Sequence, residues 1–185
     1  MDCTTCSFNK QCRETEVCPA TSFDRDEVIG KYSEETVIVQ AAAALVDAGR
    51  AGTLSRLQET IAFARQMNYK RIGLAYCYGM EQQVQQIADV FRENNLNIRA
   101  VSCTVGGIPQ NEVNPASEYC TVSCNPIGQA MQLNHHKVDL VIMIGLCMGH
   151  DILFQREIKA DCTTLVVKDR MFNHAPLNGL LQQKS

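Results

Sequence analysis

The sequence lacks several features that would direct its reading elsewhere. No apolar run in its 185 residues reaches the roughly 18 needed to span a bilayer. Positive charge is not in excess: 17 Lys and Arg face 20 Asp and Glu, for a formal charge of −3. That balance excludes a polycationic nucleic-acid binder and any general attraction to anionic membranes. The opening Met1-Asp2-Cys3-Thr4-Thr5-Cys6 has neither the basic region nor the apolar stretch of a secretory signal, so a cytoplasmic location is expected. There is no internal repeat and no low-complexity tract. Gly106-Gly107, Gly145 and Gly149 permit close backbone approach but match no phosphate-loop pattern.

What the chain has in plenty is cysteine, ten in all. Cytoplasmic thiols are kept reduced, so dense cysteine there points to metal ligation or redox chemistry rather than to a disulfide scaffold. Four of the ten, Cys3, Cys6, Cys12 and Cys18, fall in the first 18 residues with the spacing C-x2-C-x5-C-x5-C. A C-x2-C step lets two thiolates grip one metal within a tight turn, and two further ligands close a tetrahedral shell. Chelation offsets the cost of ordering a segment that has little to bury. The spacing matches neither a paired C-x2-C zinc site nor the bacterial ferredoxin run. A 4Fe–4S cluster is favoured there, with zinc as the alternative.

Beyond a polar connector at 19–33, the pattern predicts two helices. The first covers the apolar run 36–46, is mostly buried, and has Ser33 as N-cap and Gly49 just past its end. The second spans 55–67, where Ser55 and Gln58 have capping-box spacing. Short apolar runs at 71–76, 98–102, 138–146 and 163–167 then alternate with helices at 81–94 and 126–136. Asn125 is the N-cap of the latter and Pro126 its first residue. The near-continuous run Leu140-Val141-Ile142-Met143-Ile144 suits a strand covered on both faces. The expected fold is three-layer α/β. A parallel sheet of four or more strands spans 33–185, counting its two preceding helices, behind a metal-bound cysteine knot at 1–20.

The remaining cysteines follow a rule of position. Cys77, Cys103 and Cys147 each lie just past the C-terminal end of an expected strand, and Cys124 lies just before the Asn125 helix start. In open parallel sheets that edge forms the ligand crevice, and helix N-termini there favour thiolate over thiol. Cys77, Cys103, Cys124 and Cys147 are therefore the candidate ligands of a second cluster, with Cys120 as substitute for Cys103. Buried cysteines also serve simply as small hydrophobes, the reading that suits Cys162 at the start of the last strand. The same edge carries His150, Asp151, Lys168, Asp169, Arg170 and His174 as candidate catalytic groups. The cations could hold an anionic substrate and the histidines could move a proton. Strands that leave a core also become charged simply on meeting solvent. His135-His136 suits a solvated helix end.

The segments Ala75-Tyr76-Cys77-Tyr78-Gly79-Met80, Cys124-Asn125-Pro126-Ile127-Gly128-Gln129-Ala130, Gly145-Leu146-Cys147-Met148-Gly149-His150-Asp151 and Thr164-Leu165-Val166-Val167-Lys168-Asp169-Arg170, with His174, resemble a prokaryotic family of unknown function. Its members are described as predicted metal-binding proteins with a cysteine-rich N-terminus. The likeness runs from Cys3 to about Leu180. It implies metal binding in a mostly anaerobic, cytoplasmic setting, and it names no reaction. The leading expectation is thus a two-site iron–sulfur protein acting on a small molecule or a redox partner protein, with neither nucleic acid nor membrane as partner. Homo-oligomerisation stays open. A non-enzymatic zinc protein with a ligand- or partner-binding α/β domain is the alternative, and a thiol sensor using Cys120 and Cys124 a third reading.

Overall fold

A computed structural model of the chain describes residues 2–8, 10–14 and 18–184. They form two compact units, Met1–Ala43 and Ala44–Ser185. In the first, Asp2 caps a 3₁₀ turn over Cys3–Thr5 by accepting from the Thr4 N–H at 2.8 Å, and a second such turn covers Gln11–Glu14. Helix α1, Arg25–Glu34, occupies what the sequence presented as a polar connector. Asp24 caps it by accepting from the Asp26 and Glu27 N–H groups, each at 2.9 Å. Those acidic residues also suit the positive end of the helix.

Helix α2, Thr36–Val46, follows directly, and two expectations about it are corrected. Ser33 is not its N-cap but lies inside α1, with its hydroxyl donating to Ile29 O at 3.1 Å. Nor is α2 mostly buried: Ala41 is, whereas Val37, Val39 and Val46 are exposed. Among the described residues, three α-helices rather than two therefore precede the sheet, the third being α3, Arg56–Gln66. Its capping box is complete: Ser55 Oγ accepts from the Gln58 N–H at 3.3 Å, and Gln58 Oε1 accepts from the Ser55 N–H at 2.8 Å.

The second unit continues through β1 (Arg71–Tyr76), α4 (Glu81–Glu93), β2 (Asn97–Ser102), the short α5 (Gln110–Val113) and α6 (Pro126–His135). Then come β3 (Leu140–Ile144), α7 (His150–Glu157), β4 (Asp161–Val166) and a 3₁₀ segment at Pro176–Lys184. The four strands lie in the order β2-β1-β3-β4, with every neighbouring pair parallel.

Strand alternation divides the core in two. Ile72, Leu74 and Tyr76 of β1, with Leu140, Ile142 and Ile144 of β3, meet Ile61 and Ala64 of α3 and Val84, Ala88 and Phe91 of α4. On the opposite face Ala75, Val101, Val141 and Met143 meet Ala130 and Leu133 of α6 and Phe154 of α7. All five residues of β3 are buried, which is why its sequence is apolar without alternation. Each buried Val, Leu, Ile, Phe or Met among them contributes about 1.5–3 kcal/mol. Gly73 lets α6 approach, since a Cβ there would lie 3.0 Å from Leu133 and 3.1 Å from Val141.

This topology positions the site. After β1 the chain turns into α4 on one face, and after β3 it turns into α7 on the other. The C-terminal ends of β1 and β3, adjacent in the sheet, are thus a topological switch point, where a crevice opens. Among the described residues no helix is long and apolar enough to cross a membrane.

Candidate functional site

Cys77 leaves β1 into that crevice. Its N–H donates to Ile144 O at 3.1 Å, and it caps the 3₁₀ turn Tyr78–Met80 that runs straight into α4. Its sulfur accepts from Lys168 Nζ at 3.2 Å and from the Gly79 N–H, and is hydrogen-bonded to Cys103. Burial opposes the thiolate, but the Gly79 N–H, the Lys168 ammonium and the Cys103 thiol together outweigh it. Cys77 therefore titrates below an ordinary thiol.

Cys103, just past β2, is held by its N–H donating to Tyr76 O at 2.9 Å and by its carbonyl accepting from the Asn125 N–H at 2.6 Å. Its sulfur accepts from the Tyr78 N–H at 3.4 Å and lies 3.6 Å from Cys124 Sγ. Burial, with Cys124 and Cys77 beside it, pushes this thiol up to about 12. Cys124 is placed there by the start of α6, where Asn125 Oδ1 accepts from the Gly128 N–H at 2.8 Å. A Cβ at Gly128 would overlap the Asn125 side chain, so the cap requires glycine. Buried Ser123 fixes the other side, its hydroxyl donating to Gln110 Oε1 at 2.7 Å.

Cys147 is half-buried two residues beyond Gly145, with Arg170 Nη2 donating to its sulfur at 3.1 Å. Its carbonyl accepts from the His150 and Asp151 N–H groups at 3.0 and 3.1 Å, which opens α7. Cys120 is exposed on the loop before Cys124, and it is Cys103 that Cys124 touches.

The charged candidates divide by what they bond. Lys168 and Arg170 reach sulfur. Asp169 accepts from the Met171 and Phe172 N–H groups, each at 2.9 Å, and shapes the turn between them. His174 Nδ1 accepts from the Asp169 N–H at 3.2 Å while its own N–H returns to Asp169 O at 2.8 Å. Asp151 accepts from the Gly149 and Ile152 N–H groups at 3.0 and 2.8 Å, and His150 is the half-buried first residue of α7. Sequence reasoning missed Gln129. It is fully buried on α6, and its Nε2 donates to Tyr76 O at 3.1 Å and Val101 O at 2.8 Å, tying β1 to β2 just below Cys77 and Cys103. The available signal was an amide on the face of α6 that also carries Ala130 and Leu133.

In the first unit, Cys3, Cys6, Cys12 and Cys18 line one cavity of about 320 Å³ with Lys10 and Arg13. The Phe8 and Lys10 N–H groups donate to the Cys6 sulfur and, with the Lys10 and Arg13 charges, hold this thiol below its usual range. Among the described residues, no group of three or more histidine, cysteine, aspartate or glutamate side chains stands arranged to hold a single metal ion.

Against known families, residues 18–165 match the model described as "Protein of unknown function (DUF1847)". The chain belongs to this family. That match includes Cys18 and all the crevice cysteines, and ends before Lys168. An uncharacterized protein of Methanocaldococcus jannaschii, MJ0455, is 36% identical over 180 residues, covering 94% of this chain and 90% of that protein. No solved structure matches the chain significantly. The DUF1847 chain is thus cysteine-rich and α/β, within a family whose description names no activity.

Proposed function

We propose that this protein carries cysteine-ligated iron–sulfur centres and uses the crevice one in redox or cluster-based chemistry on a small molecule. The observation that supports this reading is that Cys103 touches Cys77 on one side and Cys124 on the other, three cysteines from separate segments at the C-terminal edge of a parallel sheet. Thiolates are the ligands that soft metals and iron–sulfur clusters select. Cys77 is already biased toward thiolate, and Cys147, past the end of β3 on the same sheet edge, is the proposed fourth ligand. Lys168 and Arg170 occupy two of the sulfurs and must yield them to a metal. Released, they become cations at the crevice mouth, able to hold an anionic substrate group, with His150 as a nearby proton carrier.

The four N-terminal cysteines fit a separate centre: they share one cavity, and backbone N–H groups already favour a Cys6 thiolate. A bound cluster supplies one-electron transfer, or an open iron acting as Lewis acid. A reducing, cytoplasmic compartment goes with this reading, as does a small molecule or a redox protein as partner.

Anaerobic purification followed by iron and acid-labile sulfide analysis tests the proposal. The expected result is iron and sulfide in equal amounts with charge-transfer absorption in the visible. Cys103→Ala with Cys124→Ala should remove the crevice share and leave the N-terminal one. Zinc without sulfide would instead support a structural N-terminal zinc knot and a non-enzymatic α/β domain.

A further inference from the structure

We propose that Cys103 and Cys124 form a redox-active dithiol pair that exchanges with low-molecular-weight disulfides, closing into an intramolecular disulfide when the crevice holds no metal. Their sulfurs stand 3.6 Å apart, against about 2.0 Å in a disulfide, a gap that side-chain rotation can close. The two residues belong to different segments yet are locked to each other, because the Cys103 carbonyl accepts from the Asn125 N–H at 2.6 Å. They also differ in access. Cys124 is half-buried and open to a small disulfide, whereas Cys103 is 3% exposed and reached through Cys124.

The order of steps follows from that asymmetry. The Cys124 sulfur attacks a disulfide RSSR, forming Cys124–S–S–R and expelling one RS group, which leaves with the Cys124 proton as RSH. The Cys103 sulfur then attacks the Cys124 sulfur, breaking its bond to R. The second RS group leaves with the Cys103 proton. One RSSR is reduced by two electrons to two RSH, and the cysteine pair is oxidised by two electrons to one disulfide. The inference goes beyond the iron–sulfur reading and needs only the two thiols. The two states exclude each other, since the disulfide removes two of the four crevice ligands.

The test uses the full chain, stripped of metal by a chelator, reduced, and incubated with oxidised glutathione before alkylation. Digestion at glutamate cuts at Glu112 and Glu118 and so separates Cys103 from Cys120 and Cys124. The expected product is a Cys103–Cys124 cross-link and the loss of two alkylatable thiols from the crevice, with Cys120→Ser leaving the link unchanged. Cys103→Ser should instead retain glutathione on Cys124. Recovery of Cys103 as the alkylated thiol in the wild-type chain, or a link from Cys124 to Cys120, overturns the proposal whether or not the variants fold. Iron binding is measured on the same preparations. A chain that takes up iron and sulfide but forms no link sinks the exchange alone, and one that links but takes up neither sinks the iron–sulfur reading alone.

Discussion

Lys168, two residues past β4, places its ammonium 3.2 Å from the sulfur of Cys77, just past β1, although β3 lies between those two strands. The side chain passes over the end of β3 at Gly145, where a Cβ would stand 3.8 Å from Lys168 Cδ. A cation is thereby delivered to a thiol beside its backbone N–H donor, the arrangement that lowers a thiol's pKa and makes it reactive at neutral pH. Replacing Lys168 with Met removes the charge and keeps most of the stem. The expected outcome is a shift of the Cys77 alkylation profile to higher pH and slower reaction with iodoacetamide at neutral pH, read by peptide mapping of metal-free protein. An unchanged profile would show that the Gly79 N–H suffices.

Gly145 itself makes a second prediction. Its φ of +62° lies in the left-handed region, and a Cβ there would overlap Met80 Sδ in the core beneath. Gly145→Ala should cost about 1–3 kcal/mol of stability, since strained backbone and core overlap act together. Urea denaturation measures it. The cost should come with a weaker Lys168–Cys77 contact, visible as the same alkylation shift that Lys168→Met produces.

Gln129 joins two strands through carbonyls that would otherwise lose a donor at the crevice floor. Gln129→Met preserves the shape and deletes both hydrogen bonds. Unpaired buried acceptors cost about 1–3 kcal/mol, although Tyr76 O keeps the Cys103 N–H as a partner. Equilibrium unfolding should show a loss in that range. A neutral result would mean that Gln129 Oε1, which has no partner among the described residues, already cancels the gain.

These three residues mark the limit of what the sequence makes legible. The strands could be read because burial on both faces leaves near-continuous apolar runs, and α6 because Asn125-Pro126 is a chemical start signal. The strand-end positions of Cys77, Cys103 and Cys147 follow from those strands alone. Helix α7 was not legible: its apolar residues Ile152, Leu153 and Phe154 are consecutive, and of the three Phe154 alone is buried. Helix α1 was hidden for a related reason, since none of its residues is buried and its start is an acidic cap rather than an apolar stripe. The reach of Lys168 and Arg170 to sulfur depends on which strands are neighbours, and strand order is not a local property of the chain. Helix α2 shows the converse: its alanine- and valine-rich run reads as a core element, yet the helix lies largely exposed.

Cys103 makes a pH prediction of opposite sign to that of Cys77. It titrates at about 12 in the fold, because burial disfavours its thiolate and Cys124 and Cys77 stand beside it. An unfolded thiol titrates at about 8.5. Between those values the folded chain holds a proton that the unfolded chain has lost. The stability tied to Cys103 is thus complete below the unfolded value and is lost as pH rises toward 12. Cys77, lowered in the fold, contributes stability that is fully present above the unfolded value, so it adds no further slope there. Groups remote from Cys103 are common to wild type and variant and cancel in the comparison, while Tyr76, which its neighbour Cys103 helps to raise, is relieved of that influence in the variant. The melting temperature of metal-free wild type should therefore fall more steeply than that of Cys103→Ala between about pH 9 and about pH 11, whatever their offset at neutral pH. Parallel slopes would mean that the Cys103 thiolate forms without penalty. The crevice would then be open to solvent at the very place where Cys103 and Cys124 touch.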